Sequence, residues 1–317
     1  VPGKRAHLVG IGGVSMCPLA EVLAGKGLLV QGSDMTESDS VKHLRSKGIS
    51  VAIGHNAENL GDCDFVIRTA AVHAGNPEIA GAIARGIPVY ERAQAWGALM
   101  RKYPNALCVS GTHGKTTTTS MATHIFMAAQ ADPTVMIGGT LPMLHAGYRV
   151  GKGNTIILES CEYCNSFLSF FPTVAVILNV EADHLDHYSG IEEIEATFAK
   201  FMGLVGEDGT VIVCGEVPQL VQLANSTGRH VLSYGFAENN DIVCVHPDVK
   251  GIQSDFIVRF EDGTEHAVEI KSNPGRHNML NATAVLTVAH VLGLDIDAAA
   301  KALSSFEAVR RRFTHVG

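Results

Sequence analysis

The sequence lacks the features that would place the chain in a membrane, on nucleic acid or in a secretory pathway. No run of about 18 or more apolar residues occurs, so we expect no membrane-spanning helix. With 24 basic and 32 acidic side chains, the formal net charge of -8 excludes a general attraction to nucleic acid or to an anionic membrane surface. The first apolar stretch runs directly into a glycine turn, which is unlike a cleavable secretory leader.

The sequence also lacks the paired cysteines of a disulfide-stabilised protein. Its seven cysteines are an odd number with scattered spacing, which predicts reduced thiols in a cytoplasmic protein. Only Cys161 and Cys164 form a C-x-x-C pair. No second pair completes a structural zinc site and no redox-type βαβ unit surrounds the motif, so the pattern does not favour a metal or redox role.

Strand-like and helix-like stretches alternate through the first ninety-odd residues. This rhythm predicts a parallel sheet with helices packed on it, because parallel strands need crossover connections. A second alternating unit begins after residues 103–105. Residues 241–270 then alternate with period two around an Asp-Gly turn signal, which predicts an antiparallel flap. Amphipathic helices are predicted over Asn278–Leu292 and Ile296–Phe306.

The strongest local signal is the segment SGTHGKT at 110–116, which follows a predicted strand and precedes a predicted helix. Its glycines let successive N–H groups face one concavity, to which the helix adds its positive end, so the segment suits a polyphosphate. Lys115 could reach the β- and γ-phosphates, and the Thr116 hydroxyl could ligate Mg²⁺. Val109 occupies the place of the first glycine in the usual motif. The alternative is an ordinary strand–helix turn, in which the hydroxyls of residues 116–119 merely cap the helix.

Further polar residues follow two other predicted strands. Glu159 ends the apolar run TIILE, and the segment NVEADHLDHY, which contains His184, follows VAVIL. Because the carboxyl ends of parallel strands meet at one edge, both should point to the edge that carries the phosphate loop. Together they could hold a second Mg²⁺ and offset charge in a phosphoryl-transfer transition state. Taken alone, His184 is more often a structural or surface histidine and Glu159 also more often structural, and Glu162 competes with Glu159 for the same role.

The amino-terminal segment HLVGIGGVSM contains a second glycine turn, with Ser15 where a dinucleotide fingerprint has its third glycine. Asp34 ends the second predicted strand about 20 residues later, in the acidic position of that fingerprint. Alone, this pattern is a weak signal for NAD, and a tight turn without a ligand is the alternative. The turn favours a diphosphate group, which need not belong to NAD.

Four segments taken together, HLVGIGGVSM, SGTHGKTTTT, NVEADHLDHY and NPGRHNMLNATA, resemble the Mur ligase family over essentially the whole chain. The resemblance implies a UDP-sugar-binding Rossmann-like domain over residues 1–97 and a central P-loop-type ATP-binding α/β domain with a small antiparallel flap over residues 98–311. Residues 312–317 would begin a linker to a third domain. The implied activity is ATP-dependent ligation of L-alanine to UDP-N-acetylmuramate through an acyl phosphate, with ATP and Mg²⁺ as cofactors. Without the third domain, we expect the chain to bind the UDP-sugar but to be inactive alone.

The resemblance also implies roles for individual residues. The UDP part of the substrate would contact Gly10, Gly12, Gly13, Ser33, Asp34 and Thr69. ATP would contact Gly111, Thr112, His113, Gly114, Lys115, Thr116 and Thr117, with Asn278 and Asn281 at the adenine and Arg312 at the ribose. Magnesium would be held by Thr116, Glu159 and His184, and the catalytic residues would be Lys115, Glu159 and His184. Without the resemblance, the two asparagines would pass for a helix amino-terminal turn and a surface amide.

One segment departs from the family pattern, and two other functions stay open. The family usually has E-A-D-E-x-D where this chain has ESCEYC at 159–164, so two expected aspartates are cysteines. A related enzyme would add a whole peptide to the same sugar. A non-catalytic module would use the first turn for a dinucleotide. Lys115, Thr116, Glu159 and His184 occurring together favour an enzyme, because binding alone would not require all four.

Overall fold

The computed structural model describes residues 3–183, 188–272 and 274–307 of the chain. Two units follow one another along the chain, Val1–Leu99 and Met100–Gly317. Each unit is built on its own β-sheet with helices packed against it, which confirms the predicted α/β class. Among the described residues, no helix combines the length and the apolar content needed to cross a bilayer. His184 and Arg312, two of the predicted site residues, lie outside the described ranges.

The first unit is built on a five-stranded parallel sheet with the strand order β3-β2-β1-β4-β5. The chain proceeds from β1 to β2 and β3 on one side, then crosses to β4 and β5 on the other. The carboxyl ends of β1 and β4 therefore form a topological switch point, where α/β sheets bind ligands. The strands are β1 (Arg5–Val9), β2 (Leu29–Asp34), β3 (Ser50–Ile53), β4 (Phe65–Arg68) and β5 (Val89–Glu91), and the helices are α1 (Met16–Gly25), α2 (Asp39–Ser46), α3 (Pro77–Ala84) and α4 (Arg92–Met100).

Capping side chains define where two of these helices begin. The Ser38 hydroxyl accepts a hydrogen bond from the backbone N–H of Val41 at the start of α2. The Asn76 side chain accepts from the backbone N–H of Glu78 at the start of α3, where Pro77 also occupies the first turn. Such caps satisfy amide groups that the helix itself leaves unpaired, and each contributes about 1 kcal/mol. The apolar side of α3 buries Ile79 in the core of the unit.

The second unit is built on a ten-stranded mixed sheet with the order β15-β14-β13-β12-β11-β10-β6-β9-β7-β8. The strands from β13 to β7 in this order are parallel, and the two edges are antiparallel. The strands are β6 (Asn105–Ser110), β7 (Thr134–Leu141), β8 (Ala146–Arg149), β9 (Thr155–Glu159), β10 (Val174–Ile177), β11 (Thr210–Cys214), β12 (His230–Gly235), β13 (Ile242–Lys250), β14 (Gln253–Arg259) and β15 (Glu265–Ile270), and the helices are α5 (Lys115–Ala128), α6 (Ile191–Met202), α7 (Pro218–Asn225), α8 (Arg276–Val291) and α9 (Ile296–Leu303).

Three features of the second unit differ from the sequence expectation. The predicted flap strands are antiparallel, but β13 also pairs in parallel with β12, so they extend the main sheet. The sequence did not predict β7, because Gly138 and Gly139 interrupt its apolar pattern. The helix predicted as amphipathic, α8, is instead buried around most of its circumference, since the sheet, α5 and α9 all pack against it.

Candidate functional site

The phosphate loop connects β6 to α5 at the carboxyl edge of the second sheet. Gly111 and Gly114 adopt positive φ angles of 133° and 86°, which side-chain-bearing residues rarely adopt. A Cβ at Gly111 would lie 3.0 Å from the carbonyl oxygen of Asn179, so the loop after β10 leaves no room for one. That neighbouring loop also fixes the phosphate loop directly, because the Asn179 side chain accepts from the His113 N–H at 2.7 Å and donates to the His113 carbonyl at 3.1 Å.

Lys115, the first residue of α5, folds back onto its own loop. Its ammonium group donates to the carbonyl oxygens of Gly111 and, at 3.1 Å, of Thr112. It also contacts the Glu162 carboxylate at 3.1 Å. Only 13% of the Lys115 side chain and 3% of the Glu162 side chain are exposed, so solvent screens this ion pair weakly. Removing either partner would leave the other charge buried, at a cost of about 3–5 kcal/mol.

Thr116 and Glu159 meet at the same edge of the sheet. The Thr116 hydroxyl donates to one carboxylate oxygen of Glu159 at 2.9 Å, and the backbone N–H of Gly138 donates to the other at 2.6 Å. A Cβ at Gly138 would lie 2.6 Å from the Glu159 carboxylate, so this glycine leaves space for the acid. A hydroxyl and a carboxylate are hard oxygen ligands of the kind Mg²⁺ takes, and they therefore fit a magnesium site. The described residues contain no group of three histidine, cysteine or acidic side chains arranged around a metal.

The remaining hydroxyls of α5 do not cap the helix. Gly114 occupies the capping position and supplies no side chain. The Thr119 hydroxyl donates to the Lys115 carbonyl at 2.8 Å, and the Ser120 hydroxyl donates to the Thr116 carbonyl at 2.7 Å, each one turn back along the helix. The Thr118 hydroxyl is buried and has no hydrogen-bond partner among the described residues. Thr116 is thus the hydroxyl of this run that the fold directs toward an acid.

Asn278 and Asn281 lie in the first turns of α8, next to the phosphate loop. Both are buried, so neither is the surface amide that the sequence alone would suggest. The Asn281 side chain donates to the Asn278 side-chain oxygen at 3.1 Å. A Cβ at Gly114 would lie 3.3 Å from the Asn281 side-chain oxygen, which places that amide against the loop. The fold therefore brings these two residues to the same edge as Lys115.

The amino-terminal glycine turn lies at the switch point of the first sheet. Gly10 has a φ of 77°, and its N–H and that of Ile11 both donate to the Ser33 carbonyl, at 2.9 and 3.0 Å. The Gly12 N–H donates to the Asp34 carboxylate at 2.9 Å. A Cβ at Gly10 would lie 3.8 Å from the Thr69 methyl, so the turn adjoins the end of β4. The predicted UDP-site residues of the first unit therefore cluster around this turn.

The Ser33 side chain points away from this turn and into a buried polar network centred on Glu78. Its hydroxyl donates to the Glu78 carboxylate at 2.5 Å, and the Asn59 amide donates to the same carboxylate at 2.6 Å. His7 lies 3.3 Å from that carboxylate, and His55 lies 3.0 Å from the Ser33 hydroxyl. Burial acts to raise the pKa of Glu78, but the hydrogen bonds from His7, Ser33 and Asn59 outweigh it and lower the pKa to about 2.

The sequence did not single out Glu78, and it treated Glu162 only as a competitor of Glu159. Glu162 instead contacts Lys115, and its backbone carbonyl accepts a hydrogen bond from the Tyr188 hydroxyl at 2.6 Å. Burial, followed by the nearby Glu162 charge, raises the pKa of Tyr188 to about 12. Glu78 follows Asn76 and Pro77, a pair that is typical of a helix start. That pattern could have indicated an acidic residue held in the first turn of a helix.

Comparisons with known proteins assign most of the chain to two family models. The model described as Mur ligase family, catalytic domain, matches residues 5–104, and the Mur ligase middle domain matches residues 109–289. A UDP-N-acetylmuramate–L-alanine ligase from Clostridium novyi is 40% identical over 310 residues, which cover 98% of this chain and 67% of the relative. Another from Solidesulfovibrio magneticus is 42% identical over 314 residues, covering 99% and 68%.

Solved structures show the same similarity. The UDP-N-acetylmuramate-alanine ligase from Thermotoga maritima has a TM-score of 0.79 and 30% identity, covering 98% of this chain and 70% of that one. The UDP-N-acetylmuramate:L-alanyl-gamma-D-glutamyl-meso-diaminopimelate ligase from Neisseria meningitides has a TM-score of 0.85 and 25% identity, covering 98% and 100%. The chain spans about two thirds of the length of the curated relatives that it matches.

Proposed function

This chain belongs to the Mur ligase family, and we propose that it acts in the ATP-dependent ligation of L-alanine to UDP-N-acetylmuramate in peptidoglycan precursor synthesis. The observation that supports this most strongly is the phosphate loop at the edge of the second sheet. There Lys115 and Thr116 share one helix start, and Thr116 contacts Glu159 at 2.9 Å. A lysine for phosphate and an oxygen pair for Mg²⁺ at one edge of the sheet suit phosphoryl transfer from ATP.

We assign the triphosphate to the loop at residues 111–116. The backbone N–H groups of this loop and the start of α5 favour negative charge, because the unpaired amides of a helix start carry partial positive charge. In the structure, the Lys115 ammonium is hydrogen-bonded to Glu162 and to loop carbonyls. When ATP binds, it would move to the phosphates and stabilise the negative charge that develops during transfer. Asn278 and Asn281 would contact the adenine, as the family resemblance implies, and Arg312 would contact the ribose.

Magnesium fits the oxygen pair formed by Thr116 and Glu159, and His184 is the further ligand that the family implies. When bound, Mg²⁺ neutralises phosphate charge and polarises the phosphoryl group that is transferred. The chain's own contribution is to hold the Glu159 carboxylate in place through the Gly138 N–H at 2.6 Å. That contact leaves one carboxylate oxygen directed at Thr116.

The UDP part of the substrate would bind at the glycine turn of the first unit. Hydrogen bonds from the end of β2 fix this turn. The Ser33 carbonyl accepts from the backbone N–H groups of Gly10 and Ile11, and the Asp34 carboxylate accepts from that of Gly12. Ser33 would therefore act through its backbone, because its buried hydroxyl is committed to Glu78. The diphosphate would lie over the turn at the start of α1.

The proposed chemistry has two steps. A muramoyl carboxylate oxygen attacks the γ-phosphorus of ATP, ADP leaves, and an acyl phosphate forms. The L-alanine amine then attacks the acyl carbon, and the tetrahedral intermediate expels phosphate as the amide forms. Positioning and electrostatic stabilisation supply most of the rate in such reactions. We place the reaction in the cytoplasm, in keeping with cysteines that are all free thiols.

Calorimetric titration of the 317-residue chain tests this proposal. We expect UDP-N-acetylmuramate to bind and NAD to give no signal, and we expect Mg-ATP to bind separately. Lys115→Met should weaken Mg-ATP binding, whereas Lys152→Met, which removes an exposed lysine of the same unit, should not. Binding of NAD in preference to the UDP-sugar, by a chain whose circular dichroism shows it folded, would contradict the proposal and favour a dinucleotide-binding module.

A second candidate is a ligase that adds a whole peptide to the same UDP-sugar. The TM-score of 0.85 against the Neisseria peptide ligase favours it, whereas the higher sequence identity to alanine ligases favours the first candidate. Both would bind UDP-N-acetylmuramate and ATP. Phosphate release with each acceptor in turn, L-alanine or the tripeptide, separates them in the presence of ATP and the UDP-sugar, and release with neither acceptor would agree with the expectation that the chain is inactive alone.

A further inference from the structure

The Cys161–Cys164 pair lies beside the phosphate loop and has no part in the proposed function. Both cysteines are exposed, whereas the other five cysteines of the chain are buried. They flank Glu162, whose carboxylate contacts the Lys115 ammonium at 3.1 Å. Any change in the covalent state of the pair would therefore act on the residue that holds the phosphate-loop lysine.

The backbone conformation between the two cysteines is compatible with a disulfide. Glu162 has φ -70° and ψ -24°, and Tyr163 begins a short 3₁₀ helix over Tyr163–Ser169, so both residues between the cysteines are helical. In helical backbone, the rise per residue puts Cα atoms three residues apart at about 5–6 Å. Disulfides span Cα separations of about 4.4–6.8 Å.

Side-chain contacts hold this turn in place. The Ser166 hydroxyl donates to the Cys161 carbonyl at 3.1 Å, and the Tyr188 hydroxyl donates to the Glu162 carbonyl at 2.6 Å. Cys164 and Asn165 adopt left-handed conformations with φ angles of 54° and 57°, which are uncommon for residues with side chains and kink the 3₁₀ helix just after the turn. The spacing of the pair gave no reason to expect a redox role, but the shape of the turn does.

We propose that Cys161 and Cys164 are a redox-sensitive pair, which forms a reversible disulfide that closes the turn around Glu162 and weakens binding of nucleotide phosphates at the loop. The oxidant is a peroxide. It converts one thiol to a sulfenic acid with release of water, and the second thiol then displaces a second water as the S–S bond forms. A dithiol reductant restores both thiols by exchange and is itself oxidised to a disulfide.

Glu162 carries the effect to the phosphate site, a step that rests on the ATP site proposed above. For the Lys115 ammonium to reach phosphates, the Glu162 carboxylate has to release it. In the reduced protein the turn can shift to allow this. A disulfide across the turn fixes the carboxylate against the lysine, where it also repels the incoming phosphates. The expected loss is about tenfold in affinity, which corresponds to one hydrogen bond to a charged group.

The test combines thiol counting with titration of Mg-ATP, using the 317-residue chain before and after treatment with excess hydrogen peroxide. Although part of Cys161 is exposed, burial of its sulfur raises the pKa of the thiol, so excess oxidant and long incubation are needed. A thiol reagent should label two cysteines in the native reduced protein and neither after oxidation, and peptide mapping should join residue 161 to residue 164. The dissociation constant for Mg-ATP should rise about tenfold and return to its first value with a dithiol reductant.

Two variants make the result specific. The double variant Cys161→Ser/Cys164→Ser should bind Mg-ATP equally before and after peroxide, whereas Cys63→Ser, at a buried cysteine of the first unit, should respond like the parent. Failure of the 161–164 disulfide to form, or its formation without a change in an otherwise normal Mg-ATP affinity, would overturn the inference. If the reduced chain itself binds no Mg-ATP, the proposed ATP site and its coupling to the pair both fail, while the thiol count still decides whether the disulfide forms.

Discussion

Replacing Glu78 by glutamine should destabilise the first unit at neutral pH, and most of that cost should disappear in acid. In the folded protein, burial opposes ionisation of Glu78, but hydrogen bonds from His7, Ser33 and Asn59 lower its pKa from 4.5 to about 2. At about 1.4 kcal/mol per pKa unit, the ionised carboxylate contributes about 3 kcal/mol to the free energy of unfolding. A carboxyl whose pKa is lower in the folded than in the unfolded protein stabilises the fold when the pH is above its unfolded-state pKa. The contribution of Glu78 is therefore complete above about pH 4.5 and is lost as the pH falls toward 2.

Tryptophan fluorescence provides the assay, because the single tryptophan, Trp96, belongs to the first unit and is buried in the folded chain. Urea unfolding of the parent chain and of Glu78→Gln should differ by about 3 kcal/mol at pH 7 and by about 1 kcal/mol at pH 3. Glu58→Gln removes an exposed carboxylate nearby and should leave the pH dependence of the parent unchanged. A Glu78→Gln difference that stays constant between pH 7 and pH 3 would refute the argument, because it would mean that the carboxylate charge does not stabilise the fold.

Three further predictions concern the second unit. Thr116→Val should weaken Mg-ATP binding by about tenfold or more in calorimetry, whereas Thr123→Val, about two turns further along the same helix, should not; equal affinities would exclude a ligand role for the Thr116 hydroxyl. Thr118→Val should raise the free energy of unfolding by about 1 kcal/mol in urea titrations, because the buried hydroxyl it removes has no partner among the described residues. Gly138→Ala places a methyl 2.6 Å from the Glu159 carboxylate. The variant should bind Mg-ATP more weakly but the UDP-sugar unchanged. Unchanged Mg-ATP binding would show that Glu159 can move freely.

Short-range patterns determined much of this protein from the sequence alone. The alternation of apolar runs with helix-like stretches predicted a sheet in each unit, and β9 spans the run TIILE that ends at Glu159. The Gly-Lys-Thr segment predicted a strand–loop–helix unit because its glycines and the following helix are adjacent in the chain. The strand ends likewise predicted that Glu159 would share an edge with that loop, since parallel strands direct their carboxyl ends to one side. The ligand roles of these residues stay predictions.

Only the tertiary structure decided which polar groups meet. Glu162 lies 47 residues from Lys115 in the sequence, and Glu78 lies 45 residues from Ser33, yet each pair is in contact. No local period encodes such contacts, because they depend on the strand order and on how tightly the loops pack. The same reason applies to α8, which has a mixed sequence but is buried because three neighbours surround it. The sequence thus determined the elements and the edge to which the predicted site residues point, whereas packing between distant segments decided that Glu162 holds Lys115 and that Glu78 holds the Ser33 hydroxyl.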